Sequence, residues 1–319
     1  MNGFHTITDK VCRSDTFCNA HIERWYLSSN TQKIPIREGN IRGTLFTPIG
    51  CYKVPGIIDM FGTFGGLREY RAAMLASYGY SVLSLAYFAY DDLPNRLDFN
   101  YEYFDEAVEM LLNHPSVESS QGLGIIGIAK GAEIALHLAS FNPHIKACIS
   151  INAFSFYING KGMYRGRDLK VFTPSLDDFA VADKEAVFIK ETLDTKKDLT
   201  HAIPVHRSKA SFFLLQGTDD LAVDPCQSLL IAERILKSGN HNCTLKLYPG
   251  AGHILDPPFM PLCKTVYHQA YGLALGYGGE RRLHAKAQQQ AWKDILEYLG
   301  DTFGNTDYKR LGRLPISKI

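Results

Sequence analysis

Short apolar runs alternate with amphipathic segments along most of the chain. The runs that predict strands are 41–48, 55–61, 80–88, 123–128, 145–152, 210–217 and 243–250. Apolar residues at helical spacing predict helices at 66–78, at 101–114, after 128, after 224 and at about 283–300. Because short, continuous apolar strands are typical of parallel sheets covered on both faces, the pattern predicts an α/β fold with a mostly parallel central sheet.

The alternation lapses between about 153 and 205, where Gly, Asp, Lys and Phe are mixed without a clear period. We interpret this stretch as an irregular insertion over the carboxyl edge of the sheet, where ligands bind in such folds. Residues 1–24 are polar and unpatterned, which predicts a poorly ordered arm. One domain is then expected over 25–303, followed by a tail at 304–319.

One strand-to-helix junction has the frame of a nucleophile elbow. Gly127-Ile128-Ala129-Lys130-Gly131 follows the pattern Gly-x-Ser-x-Gly, with Ala129 in place of the nucleophile. Glycines at the two ends let the chain turn sharply, which lifts the central side chain clear of the sheet edge. A Gly-x-x-x-Gly between strand and helix is common, so this frame alone does not indicate catalysis.

An acid and a histidine follow two later predicted strands. Asp219 and Asp220 come after Gly217, and His253 lies in the Gly-rich loop after 243–250. A solvated turn would explain the aspartates and a loop histidine would explain His253, each taken singly. The order elbow, acid, histidine is that of α/β-hydrolases and favours a catalytic triad. We predict Asp220 as the acid, three residues after the strand-ending glycine, with Asp219 as the alternative.

Each predicted residue has a chemical role. His253 would act as general base and then protonate the leaving group, while Asp220 would fix its tautomer and stabilise its cation. The backbone N–H of Lys130 can donate to a developing oxyanion from the start of the helix. A second donor is expected from the loop after the early strand, at Thr63 or Phe64.

Composition excludes several other classes of function. The 34 basic and 33 acidic residues give a net charge of +1, which provides no electrostatic case for nucleic acid or an anionic membrane. We predict no membrane span and no signal peptide, since no apolar run reaches the required length. Scattered cysteines and unclustered histidines predict no metal site and buried thiols in a reducing compartment.

The last three residues bear on localisation. Ser317-Lys318-Ile319 differs only at its final position from the peroxisomal address Ser-Lys-Leu. An accidental tail is the alternative explanation. We therefore expect an intracellular protein, cytoplasmic or peroxisomal.

Ordered blocks of the chain resemble the acyl-CoA thioesterases related to bile acid-CoA:amino acid N-acyltransferase. The resemblance covers roughly residues 22–300. Its blocks are ERWYL (23–27), REGNIRGTLFTP (37–48), PGIIDMFGTFGGLREYRAAMLA (55–76), YFAYDDLP (87–94), GIAKGAE (127–133), GHILDPPFMPLC (252–263) and YGGERRLHAKAQQQAWK (277–293). Long blocks in this order are far more specific than the elbow frame.

The resemblance implies an α/β-hydrolase domain that acts on acyl-CoA thioesters, with coenzyme A as part of the substrate and no cofactor. In this family a serine nucleophile implies transfer to water, and a cysteine accompanies transfer to glycine or taurine. The motif's acid and base fall on Asp220 and His253, and its nucleophile position falls on Ala129. The family's usual β-sandwich domain ahead of the hydrolase domain is expected to be absent.

Alanine at position 129 can neither attack a thioester nor hold an acyl group. Loss of a triad nucleophile costs on the order of a millionfold in kcat, or about 8 kcal/mol of barrier. Either Ala129 replaces a serine deliberately, or this is a natural member that has lost turnover. The sequence thus leaves three functions: a disabled acyl-CoA hydrolase, a non-catalytic acyl-CoA or fatty-acid binding protein, and an acyl-CoA:amino acid N-acyltransferase.

Overall fold

One eight-stranded sheet forms the centre of the protein, whose computed structural model describes residues 26–50, 52–182, 185–188, 199–268 and 272–304. In spatial order its strands are β1 (Thr31–Glu38), β2 (Ile41–Pro48), β4 (Ser81–Ala86), β3 (Gly56–Met60), β6 (Leu123–Ile128), β7 (Ile145–Ile151), β12 (Ser211–Gly217) and β13 (Cys243–Tyr248). The β1–β2 and β2–β4 pairs are antiparallel, and the pairs from β4 to β13 are parallel. The predicted mostly parallel sheet is therefore confirmed.

Helices cover both faces of this sheet. They are α1 (Tyr70–Ala76), α2 (Glu102–Leu112), α3 (Lys130–Phe141), α4 (Cys226–Lys237) and α5 (Arg281–Phe303). Successive strand residues alternate between two cores: Phe212 and Leu214 of β12 join the core beneath α2, α3 and α4. Phe213 and Leu215 join the core beneath α1 and α5. This period of two explains why the central strands read as continuous apolar runs.

Two smaller sheets lie outside the central one. A three-stranded sheet contains β5 (Asp98–Asn100), β8 (Lys161–Tyr164) and β9 (Arg167–Asp168). A four-stranded sheet contains β10 (Phe179–Ala182), β11 (Glu185–Phe188), β15 (Leu273–Gly276) and β14 (Thr265–His268). The expectation that 153–205 is irregular throughout is therefore wrong. These strands are only two to four residues long, which is too short to show a period of two.

Two element boundaries also differ from the sequence expectation. The chain forms an unpredicted edge strand, β1, which contains Pro35. Proline lacks the N–H of a strand residue, and a sheet edge tolerates this because no further strand lies on that side to accept it. Helix α1 begins at Tyr70 rather than 66, because Gly65 and Gly66 have positive φ angles of 62° and 71° and belong to the preceding loop. The predicted arm at 1–24 and the Ser317-Lys318-Ile319 signal lie outside the described residues.

Close backbone packing fixes the junction between β6 and α3. A Cβ added to Gly127 would lie 2.1 Å from the Gly131 carbonyl oxygen. A Cβ added to Gly131 would lie 2.5 Å from the carbonyl oxygens of Met60 and Phe61. Only glycine therefore lets the first turn of α3 sit against the end of β3.

We predict that Gly131→Ala destabilises the protein much more than Gly39→Ala. Gly39 lies in the β1–β2 turn with a φ of 51° and no atom within 4 Å of an added Cβ, so alanine there meets only backbone strain, about 1 kcal/mol. Alanine at 131 must displace β3, at a cost of about 3 kcal/mol or more. Denaturant unfolding measures both free energies. Equal losses for the two variants would contradict the close packing of α3 on β3.

Candidate active site

Ala129 occupies a strained backbone position between β6 and α3. Its φ and ψ are 53° and −118°, a region that residues with a Cβ rarely adopt. Its N–H donates to the Ile151 carbonyl over 3.0 Å, and its carbonyl accepts from Ala132 and Glu133 at the start of α3. These bonds hold the strained turn, which is the geometry of a nucleophile elbow with a methyl group at its apex.

His253 and Asp220 form a buried hydrogen-bonded pair. The imidazole Nδ1 lies 2.9 Å from Asp220 Oδ2, and both side chains are buried. The other carboxylate oxygen, Oδ1, accepts the backbone N–H groups of Ala222 and Val223 at 2.8 and 2.9 Å. Both oxygens of the acid are therefore engaged, and the imidazole has a fixed orientation.

Ala129 and His253 line one small cavity, which has a volume of about 40 Å³. Tyr277 closes one side of it, with its ring centroid 4.7 Å from that of the imidazole. The Tyr277 carbonyl also accepts the His253 backbone N–H at 2.8 Å. The structure thus brings the predicted nucleophile position, acid and base together.

Asp219, the alternative acid, lies outside this arrangement. Its side chain is exposed, and Oδ2 accepts the backbone N–H of Gly279 at 2.9 Å. Its own N–H donates to the Ala251 carbonyl. Asp219 therefore shapes the loop beside the site, and Asp220 is the carboxylate that meets His253.

Asn152 is a site residue that the sequence reasoning missed. It follows β7 with a φ of 51°, and its Oδ1 accepts the N–H of Gly217 at 2.8 Å. Its Nδ2 donates to the carbonyl of His253 at 2.6 Å. One side chain thus joins the end of the acid's strand to the histidine loop. The signal is a lone asparagine at the carboxyl end of the predicted strand 145–152.

Two of the three predicted oxyanion donors, Lys130 and Thr63, line the same cavity. Lys130 is the first residue of α3, where helical N–H groups have no acceptor within the helix. Thr63 lines the cavity. Phe64 instead packs against Tyr277, with ring centroids 6.2 Å apart, and lines a larger neighbouring groove.

A second histidine, His268 of β14, lies at the same cavity and was not predicted. Its Nε2 lies 3.1 Å from Thr63 Oγ1, which joins β14 to the loop after β3 across 205 residues of sequence. Burial, together with the neighbouring His253, lowers the pKa of His268 to about 4. His268 is therefore neutral near pH 7.

A buried polar cluster lies beneath the loop that carries Thr63. Arg71 donates to Asp59 over 2.7 Å through Nε and to the Met60 carbonyl over 2.9 Å. Tyr70 donates its hydroxyl to Asp256 over 2.8 Å. Burial raises the pKa of Asp256 to about 6, although Arg71 and Tyr70 act to lower it. This cluster connects α1 to the loop after His253.

Two further features concern the described part of the chain. No group of three or more His, Cys, Asp or Glu side chains there could hold a metal ion. No helix in that part is both long enough and apolar enough to cross a bilayer.

Comparison with known sequences identifies a family. Residues 99–305 match the model of the family described as BAAT / Acyl-CoA thioester hydrolase C terminal. The chain is 38% identical to bile acid-CoA:amino acid N-acyltransferase of Mus musculus, over 87% of this chain and 67% of that protein. It is 37% identical to acyl-coenzyme A thioesterase 1 of Homo sapiens, over 95% and 72% respectively. It is 33% identical to the peroxisomal succinyl-coenzyme A thioesterase of Mus musculus, over 92% and 70%.

Solved structures confirm the α/β-hydrolase fold. An acylaminoacyl peptidase from Pyrococcus horikoshii matches with a TM-score of 0.54 and 16% identity, over 84% of this chain and 41% of that chain. A dienelactone hydrolase-like phosphotriesterase from metagenomic libraries matches with a TM-score of 0.54 and 14% identity, over 86% and 98%. At this identity the likeness concerns the fold.

We predict that Asp256→Asn stabilises the protein increasingly as the pH rises. Because the folded pKa of Asp256 is raised from 3.8 to about 6, its stabilising contribution is complete below about pH 4 and is lost as the pH rises through 6. Asparagine keeps an acceptor for Tyr70 without becoming charged. The gain over the parent should reach up to about 3 kcal/mol by pH 7.5.

Thermal unfolding between pH 4.5 and 7.5 measures this difference. The exposed Asp177→Asn variant is the control and should track the parent at every pH. A gain for Asp256→Asn that does not change with pH would contradict the assignment.

Proposed function

Because the chain belongs to the BAAT / acyl-CoA thioester hydrolase family, we propose that its site binds acyl-CoA thioesters and is built for their hydrolysis. The observation that carries the proposal is the buried His253–Asp220 pair, which faces the same cavity as the elbow residue Ala129. Coenzyme A is part of the substrate, and the chemistry requires no further cofactor.

The chemistry requires a hydroxyl at position 129. His253 Nε2 would take the proton of a serine hydroxyl as its oxygen attacks the thioester carbonyl, and Asp220 would stabilise the imidazolium. The carbonyl oxygen would gain its negative charge near the N–H groups of Lys130 and of Thr63 or Phe64. Cleavage of the C–S bond would release coenzyme A as the thiol with the proton from His253. Water, activated by His253, would then free the fatty acid.

At position 129 this protein carries the methyl group of alanine in place of that hydroxyl. The covalent step is then absent, and hydrolysis relies on a water activated by His253. We therefore propose that this chain binds acyl-CoA and turns it over very slowly.

Two other functions remain candidates on specific observations. Ala129 itself favours a binding protein that holds acyl-CoA or fatty acid without reaction. The similarity to an N-acyltransferase favours acyl transfer to an amino acid. The family resemblance implies a cysteine at position 129 for that reaction.

We predict that Ala129→Ser raises thiol release from acyl-CoA by several orders of magnitude, up to about a millionfold. The backbone at 129 already has the elbow geometry, so the new hydroxyl needs no rearrangement of the chain. A colorimetric thiol assay with a series of acyl-CoAs measures the rate. Titration calorimetry on the chain with Ala129 measures binding without turnover.

A matched set of variants separates the three functions. Adding His253→Ala to Ala129→Ser should return the rate to background, whereas adding Asp219→Asn should leave most of it. Ala129→Cys with glycine or taurine present tests acyl transfer by the formation of an amide conjugate. If the folded Ala129→Ser variant binds acyl-CoA but releases no thiol above background, the hydrolase proposal is wrong and the binding protein is favoured.

A further inference from the structure

Two connected cavities meet at the candidate site. The inner cavity, of about 40 Å³, contains Ala129 and His253. The outer groove has a volume of about 590 Å³. Three residues line both spaces: Thr63, Asn159 and His268. We call these three residues the neck.

The inner cavity is small and mostly apolar beyond the neck. Phe154, Ile158, Ala222, Leu275 and Tyr277 line it and are all buried. A single water needs roughly 10–15 Å³ of such space, so the cavity holds about three or four water-sized groups, enough for a short alkyl group behind the thioester carbonyl. A long acyl chain does not fit there.

The outer groove is open and chemically mixed. Phe64, Phe88 and Leu97 give it apolar walls, while Asn95 and Arg96 are exposed along it. The Arg96 guanidinium is mostly exposed and lies 3.5 Å from Asp98. A cation at the edge of an open groove can meet a phosphate without removing it from water.

The charge and size of coenzyme A indicate which of the two spaces holds the coenzyme A arm and which holds the acyl group. Coenzyme A carries several phosphate charges, and burying an unpaired charge is costly. Its arm is also far too large for a cavity of about 40 Å³, so it must lie in the larger, mixed outer groove, and the acyl group is left with the mostly apolar inner cavity.

We infer that this site selects short acyl groups, of about two to four carbons, with coenzyme A in the outer groove and the acyl end in the inner cavity. This inference rests on the proposed binding of acyl-CoA. It adds the substrate class, which neither the family nor the position of the triad specifies.

Buried interactions hold the cavity wall in place. The Ile158 N–H donates to Glu133 Oε2 at 3.0 Å, and the Ile158 carbonyl accepts from Lys130 Nζ at 2.8 Å. Lys130 and Glu133 form a buried ion pair of 2.6 Å on the elbow helix, and Tyr101 donates to the same carboxylate. Because retreat of the wall would break a buried charged network, widening of the cavity is costly.

The neck is held in a comparable way. His268 bonds to Thr63, while the Asn159 N–H donates to the Phe172 carbonyl at 2.9 Å. These hydrogen bonds connect the neck to β14, to the loop after β3 and to the segment around Phe172. Movement of a neck residue would break one of them.

The test measures the affinity of the chain with Ala129 for free coenzyme A, acetyl-CoA, butyryl-CoA and octanoyl-CoA by titration calorimetry. Butyryl-CoA should bind at least as tightly as acetyl-CoA. Octanoyl-CoA should bind at least about tenfold more weakly, because its longer chain would overfill a packed site.

Two variants enlarge the cavity and should reverse this selection. Leu275→Ala and Phe154→Ala should each improve octanoyl-CoA binding about tenfold relative to butyryl-CoA. Leu273→Ala is the matched control for Leu275→Ala, because Leu273 lies on the same strand and does not line the cavity. This control should keep the preference of the parent.

A third variant tests the position of coenzyme A. Arg96→Gln should weaken free coenzyme A and every acyl-CoA by the same factor, up to about fivefold, and this loss should shrink at high salt. Arg167→Gln, at an exposed arginine of β9 away from the groove, should change nothing.

The outcomes separate the two proposals. Octanoyl-CoA binding as tightly as butyryl-CoA would overturn the size selection and leave acyl-CoA binding intact. Absence of binding by any of the four ligands to the folded chain would overturn the proposed function itself.

Discussion

The site depends on one steric constraint, the contact between the first turn of α3 and the backbone of β3. Gly131 lies under the carbonyl oxygens of Met60 and Phe61, and Gly127 lies under Gly131. This close approach forces the chain to reverse within one residue, at Ala129. It also brings the helix start and the loop after β3 to the same point, which is where an oxyanion needs its donors.

Hydrogen bonds from buried polar side chains connect this helix start to the rest of the site. Asn152 joins the strand before Asp220 to the loop that carries His253. Arg71 donates a hydrogen bond to the carbonyl of Met60 at the end of β3. Lys130 extends the same framework to the cavity wall through Ile158. Because these groups are buried, loss of any one leaves a partner without its bond, and such losses are costly.

The sequence predicted the fold and the meeting of Ala129, Asp220 and His253 from local signals. Strand ends in a parallel sheet meet at one edge, so residues that follow strands are brought together whatever their separation in sequence. Asn152 also stands at a strand end but carries no acid–base group that would mark it, and His268 lies in a short strand that the pattern does not predict. Each acts through a bond to a segment far away along the chain, and a single polar residue in or beside a strand reads as ordinary. The small sheets were missed because their strands are only two to four residues long, too short to show a period.

The neutral state of His268 affects how substrate and product would pass the neck. A thioester carries no charge at its reacting carbonyl, so it passes a neutral imidazole without loss of a counter-ion. Hydrolysis would convert that carbonyl into a carboxylate, and an uncharged His268 offers the new anion no ionic attraction. No ion pair with His268 would therefore oppose the departure of the carboxylate from the cavity.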